Sequence, residues 1–234
     1  MRIYNDPLEM VKEVERDLYE MGIQLQSHTV QDECVNDNPD YQSLELMGYG
    51  YILTGDCNTS SMIPMLEYLN GNKQWCDAEF QERISQRYIN PGTAWKLRPE
   101  IWEKYLHEGK FAYTYNQRYI DQLPVIIREL KQRPNTRQAV MTVYSHRLDQ
   151  YKIGGIARIP CSMYYHFMIR RDKLNIMYYQ RSCDFLKHFV HDVYLTAKLH
   201  EYVAEQIGVP VGTFIHNIGS LHAFKIDLDK RGIF

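Results

Sequence analysis

The sequence predicts an α+β fold, and three observations carry that expectation. Helical stripes and alternating strands follow one another without strict alternation, which argues against a doubly wound parallel sheet. Two alternating runs, 162–170 and 174–180, flank Arg171-Asp172-Lys173 and read as a hairpin. The chain of 234 residues is 44% hydrophobic and 24% charged, enough apolar material for one core and sized for a single domain spanning 1–234.

The elements follow in order. Asp6 is placed to cap a first helix, Pro7 suits its first turn, and Glu9 completes an Asp-x-x-Glu pattern. Leu8, Val11, Val14, Leu18 and Met21 form one apolar stripe, and Gly22 ends it. Residues 43–54 alternate as a strand. Pro64, Gly71, Pro91, Gly92 and Pro99 cut 55–100 into short helices and loops. Ile120, Leu123, Ile126, Ile127 and Leu130 predict a helix ending before Pro134. A strand over 139–144, the hairpin, a long helix over 186–207 and a last strand over 214–224 complete the reading. The long helix should bury Val190, Val193, Tyr194, Ala197 and Val203.

Composition excludes several classes. With 27 Lys+Arg against 29 Asp+Glu the net charge is −2, unlike a protein that lives on duplex nucleic acid. No apolar stretch approaches the roughly 18 residues of a membrane span, and the N-terminus lacks a signal-peptide core. The five cysteines are scattered and odd in number, which predicts free thiols and a cytoplasmic location.

The chemistry-bearing residues cluster late in the chain. Cys161 follows Ile159-Pro160 at a strand start; a buried inert thiol is the ordinary reading. Arg181-Ser182 ends the neighbouring hairpin strand, where a guanidinium would stabilise a thiolate and, with a hydroxyl, grip phosphate. Asp192 lies on the long helix, with His188 one turn earlier and His191 beside it. A solvated face, a metal site short of a third ligand, and a carboxylate reading a ligand's polar edge all compete there. His222 sits on a late strand, where a core histidine is the usual reading.

Ile-Pro-Cys at 159–161, Gln-Arg-Ser-Cys-Asp at 180–184 and Phe-Ile-His-Asn-Ile-Gly-Ser-Leu-His at 214–222 together resemble the thymidylate synthase family. Tyr113-Thr114-Tyr115 and Pro134-Asn-Thr-Arg137 also match, so the likeness covers about 98–224. It implies a mixed sheet with helices on one face and a homodimer formed through the sheet, each site borrowing an arginine from its partner. Cys161 then matches the nucleophile that adds to C6 of a pyrimidine nucleotide. Arg181 and Ser182 match phosphate ligands, with Arg137 contributed across the interface, and His222 matches a residue near the ribose. Tyr115 matches the tyrosine that assists proton removal at C5. Trp102 matches a tryptophan lining the folate site, and Asp184 an aspartate facing both folate and nucleotide. The implied cosubstrate is 5,10-methylenetetrahydrofolate, with no metal, membrane or direct DNA partner.

Position 192 discriminates the base. Family synthases carry asparagine there, whose amide pairs with uracil O4 and N3–H. A carboxylate can accept from cytosine N4, and a shared proton can satisfy N3. With Gly219-Ser220-Leu221-His222, Asp192 makes the chain similar to the phage deoxycytidylate hydroxymethylases. Hydroxymethylation needs a placed water; Glu79-Phe80-Gln81-Glu82-Arg83 resembles the family's Glu-x-x-aromatic helix, making Glu79 the first candidate and Glu82 the second. Two exposed helix carboxylates are the plain alternative. Phe224 replaces the family's ribose-binding tyrosine, leaving CMP and dCMP both open. Ten residues follow Phe224, and a short tail there would favour water over hydride. A C5-methylating synthase on dCMP or dUMP, and an inactive nucleotide- or RNA-binding relative, are the competing expectations.

Overall fold

The computed structural model describes residues 1–30, 33–36, 38–155 and 157–231. In chain order the strands are β1 Arg2–Tyr4, β2 Ile23–Gln26, β3 Thr29–Val30, β4 Glu33–Cys34, β5 Gln42–Leu53, β6 Val140–Thr142, β7 Ser162–Arg170, β8 Lys173–Asp184 and β9 Val211–Phe224. The helices are α1 Pro7–Met21, α2 Ile63–Tyr68, α3 Lys73–Arg83, α4 Pro99–Trp102, α5 Tyr115–Tyr119, α6 Leu123–Gln132, α7 His146–Asp149, α8 Val190–Ile207 and α9 Lys225–Asp229. A mixed sheet runs β1-β5-β9-β8-β7-β6, with β2 also on β5. β8 and β9 are parallel and joined through α8, whereas β7 and β8 are the expected antiparallel hairpin. Its turn places Arg171 and Asp172 at φ 53° and 56°, the left-handed pair that a tight hairpin needs.

Local chemistry explains most boundaries. Asp6 caps α1 by accepting from the Leu8 N–H at 2.9 Å, and Pro7 opens the helix. The buried stripe is Met10, Val11, Val14 and Leu18; Met21, expected inside, lies in the last turn of the helix and is 53% exposed. The helix expected from Ile120 starts at Leu123, since Thr114 caps a separate short helix, α5, through a full capping box with Gln117. The expected long helix begins with a π turn at Phe185–Phe189, capped by Asp184, before α8 proper. It buries Val190, Val193, Tyr194, Ala197 and Val203 as its spacing requires. Sequence periodicity misses β1 and β2, each too short to show a pattern, and α9 within the tail.

The sheet's two faces differ. Ile176, Tyr178 and Gln180 of β8 and Phe214, His216 and Ile218 of β9 are buried on the face covered by α8. Tyr164 and Tyr179 stack on the opposite face, ring centroids 5.7 Å apart. Continuing by twos along the helix-covered face, β8 reaches Ser182 and Asp184, and β9 reaches Ser220 and His222. Here the side chains turn polar and line a cleft. The cleft floor is therefore the core face of the sheet, continued beyond the helix that covers it.

Candidate active site

One cleft of about 750 Å³ is lined by Cys161, Arg181, Ser182, Asp184, Asp192, His222, Tyr115 and Trp102. That size suits a nucleotide with a second ligand beside it. Two expected residues lie elsewhere. Glu79 lines a small adjoining hollow, sharing Trp75, Arg83, Trp102, Tyr113, Tyr115 and Arg158 with the main cleft. Arg137 is exposed, does not line the cleft of its own chain, and is held through its backbone carbonyl, 3.0 Å from His166 Nε2.

Cys161 and Arg181 are built as one unit. The Arg181 backbone N–H donates to the Cys161 carbonyl at 2.9 Å. Its guanidinium donates to the carbonyls of Pro160 and Ile159, each at 2.9 Å, and Nη2 lies 3.8 Å from Cys161 Sγ. The same cation thus ties down the strand entry of Cys161 and faces its sulfur, where it would favour a thiolate. Beside it, Ser162 Oγ bridges the hydroxyls of Tyr115 at 3.0 Å and Tyr178 at 2.5 Å.

Asp192 projects from the first turn of α8 onto the sheet. Gln180 Nε2 donates to its Oδ2 at 2.8 Å, Gln180 Oε1 lies 2.9 Å from His216 Nε2, and His216 Nδ1 lies 2.9 Å from the Tyr51 hydroxyl. Gln180, His216 and Tyr51 have no solvent exposure. Burial holds His216 neutral, its pKa lowered to about 3, so one tautomer fits: Tyr51 O–H donates to Nδ1, and Nε2–H donates to Gln180. The amide is then oriented with its NH₂ on Asp192. Burial pushes the Asp192 carboxyl up to about 6, against the pull of Arg83 and of the Gln180 bond.

His216 also belongs to an aromatic row. In register across the sheet stand Tyr51, His216, Tyr178 and Tyr165. His216 stacks on Tyr178 with centroids 4.7 Å apart, and Tyr178 on Tyr165 at 4.6 Å. Tyr119 meets Tyr165 edge-on, and Tyr115 meets Tyr119 likewise. The row carries packing from the middle of the sheet to the cleft wall, and absorbs part of the high tyrosine content.

The two glutamates separate clearly. Glu82 accepts from the backbone N–H groups of Thr93 and Ala94 at 2.6 and 2.8 Å, so it anchors a loop. Glu79 accepts from Arg83 Nε at 2.8 Å, and burial raises its carboxyl despite that guanidinium. Arg83, given no role by sequence reasoning, lies over the Tyr115 ring at 3.9 Å. Of the residues considered for a metal, His191 is already engaged, its Nε2 accepting from the Asn72 N–H at 2.9 Å. Asp184 spends Oδ1 on the Leu186 and Lys187 N–H groups, both at 3.1 Å, and burial raises its carboxyl against His222 and Lys187.

The far wall is aromatic. Trp75 and Trp102 stack with centroids 5.8 Å apart, and Arg98 lies 4.8 Å above Trp75. Trp75 Nε1, Trp102 Nε1 and Arg98 Nη1 are buried with no hydrogen-bond partner among the described residues. Buried donors left over beside flat rings suit a planar heterocycle rich in acceptors.

This fold and cleft define a class of protein, and comparison with known proteins agrees. The sequence profile for thymidylate synthase matches residues 51–231. The chain belongs to the thymidylate synthase family. A putative thymidylate synthase of Methanocaldococcus jannaschii is 33% identical over 124 residues, 53% of this chain and 55% of that protein. One from Methanosarcina barkeri is 32% identical over 148 residues, 58% of this chain and 66% of that protein. The chain thus spans between about half and two thirds of these relatives. In fold it resembles thermostable thymidylate synthase A from Bacillus subtilis, with a TM-score of 0.74, 15% identity, and coverage of 97% of this chain and 82% of that one. Thymidylate synthase from phage T4 gives 0.68 at 19% identity, covering 94% and 78%. No helix among the described residues is long and apolar enough to cross a membrane.

Proposed function

We propose that this chain is a cytidylate C5-hydroxymethyltransferase, acting on dCMP or CMP. The observation that carries the reading is Asp192. Its carboxyl lines the cleft where it can accept from cytosine N4, and burial raises its pKa to about 6, which eases uptake of the proton that cytosine N3 would share. Cytosine presents the matching pair, the N4 amino group and N3, whereas uracil would leave polar edges unpaired at about 1–3 kcal/mol each.

The roles of the chain's residues follow from chemistry. Cys161 thiolate adds to C6 of the pyrimidine and makes C5 nucleophilic. Arg181 and Ser182 bind the phosphate, with Arg137 of a second subunit completing the grip. Asp192 binds the base edge, and the Tyr115 hydroxyl, hydrogen-bonded to Ser162, assists removal of the proton from C5. Trp102 and Asp184 face the folate, as does Trp75. Bound 5,10-methylenetetrahydrofolate supplies a one-carbon unit at the formaldehyde oxidation level. Glu79 places the water whose oxygen ends in the hydroxymethyl group, and departure of Cys161 from C6 restores the aromatic ring.

Incubation with CMP, dCMP and dUMP plus methylenetetrahydrofolate tests this, products being weighed by mass spectrometry. Gain of 30 mass units on a cytidylate with release of tetrahydrofolate is expected, from the added CH₂O. Release of dihydrofolate with a methylated product would instead assign a synthase. None of the chain's five cysteines is in a disulfide, and one of them should be essential: Cys161→Ser should abolish solvent exchange of the C5 hydrogen.

A further inference from the structure

A further carboxylate enters the cleft from β5. Glu45 lines it with Ser220 and His222, and none of the family-matching motifs includes it. In register across three strands stand Glu45, His222 and Asp184, with Ser220 beside Ser182 one pair further along. Ser220 Oγ donates to Glu45 Oε1 in a short bond. It also lies 3.4 Å from His222 Nδ1. The serine has a single proton, and it is committed to Glu45. Its contact with the imidazole therefore requires Nδ1–H to donate to the serine oxygen, and in the Nδ1–H tautomer Nε2 is left as an acceptor. The second oxygen of Glu45 is an acceptor too. The row thus offers two neighbouring acceptors, a carboxylate oxygen and an imidazole nitrogen, with Ser220 locking both orientations.

We propose that this pair receives the two adjacent hydroxyls of a ribose, so that the substrate is a ribonucleotide, CMP in preference to dCMP. The inference rests on the cytidylate reading above. A nucleotide with its phosphate on Arg181 and Ser182 and its base at Cys161 and Asp192 must span the cleft with its sugar, whose hydroxyls are its only donors. Ribose fills both acceptors; deoxyribose fills one and leaves the other desolvated without a donor, a loss worth about tenfold or more in kcat/KM. Carboxylate capture of a vicinal diol also explains why Phe224, which lacks a hydroxyl, is tolerated beside His222, its ring 5.1 Å away.

The test is tritium release from 5-tritiated CMP and dCMP, with calorimetric binding of both nucleotides run in parallel. Wild-type protein should favour CMP by about tenfold or more in kcat/KM. Glu45→Ala should bring the CMP-to-dCMP ratio within about threefold of one, and Glu45→Gln, which keeps an acceptor oxygen and the side-chain volume, should fall between. Thermal unfolding of both variants guards against a folding defect, the glutamine variant carrying the test if the alanine variant fails to fold. A wild-type preference for dCMP, or a ratio unmoved by Glu45→Gln and Glu45→Ala, overturns the proposal. If neither nucleotide exchanges but CMP binds tighter than dCMP and Glu45→Gln erases the difference, the sugar assignment stands and the catalytic reading falls. If neither binds, both fall.

Discussion

In Asp192 the proposed base selectivity and the stability of the fold meet in one buried group. Its folded pKa is raised from 3.8 to about 6, so the folded state keeps a proton that the unfolded chain has already released. Stability is then fully present below about pH 4 and declines as pH rises toward 6. Asp192→Asn removes the titration. The stability difference between variant and wild type should grow across that window by about 2–3 kcal/mol, at 1.36 kcal/mol per pKa unit, as read by denaturant melts at pH 4 and pH 8. The same variant should shift preference from cytosine toward uracil nucleotides, measured as the ratio of kcat/KM for dCMP and dUMP. Unchanged selectivity would refute the base-edge assignment. Cys161, Arg181 and Ser182 stand out in the sequence as short motifs, and Asp192 by standing ten residues after Ser182; all four line one cleft. Glu45 does not stand out: an acidic residue in an alternating strand looks like an ordinary solvent-facing position until β9 is laid beside it. Arg181 carries a second lesson, since the guanidinium that faces the thiol also bonds two carbonyls of the loop before it. Its replacement should lower kcat as well as raise KM.

At the scale of elements, the Tyr51–His216–Gln180 chain joins β5, β9 and β8 to the start of α8. His216→Phe keeps the stack on Tyr178 but removes both ring nitrogens. It leaves the Tyr51 hydroxyl and one Gln180 group unpaired in the core, and should cost about 1–3 kcal/mol, checked by urea unfolding. With the amide free to turn, cytosine-over-uracil discrimination should also fall, whereas a merely structural defect would lower both activities alike. Sequence reasoning placed β7, β8, β9 and α8 well, since long strands and helices declare their period. It read His216 only as part of a motif, because a polar residue in a buried strand has no visible partner until four elements are assembled. The π turn at Phe185–Phe189 escaped for a similar reason, its extra residue being invisible to a 3.6-residue stripe.

For the whole molecule, the proposed sharing of Arg137 between subunits makes a distinctive prediction. Arg137→Ala and Cys161→Ala should each be inactive alone, yet mixing them under conditions of subunit exchange should restore part of the activity. One site in the mixed dimer would then hold both the thiol and the arginine. Failure of the mixture to recover, with dimers present in solution, would remove Arg137 from the site. The α+β class was readable from the order of elements; the edge strands β1 and β2 and the tail helix α9 were not, being short pieces that take shape only against β5 and β9. The cleft floor, continuous with the buried face of the sheet, carries a consequence for redesign. Side chains at its open end line the cleft while those further back are covered by helix, so a new pocket can be carved without repacking the interior. Changes at Glu45, Ser182, Ser220 and His222 should retune what is accepted while leaving the melting temperature nearly where it was. A scaffold arranged this way is free to wander among substrates while its foundation stays fixed.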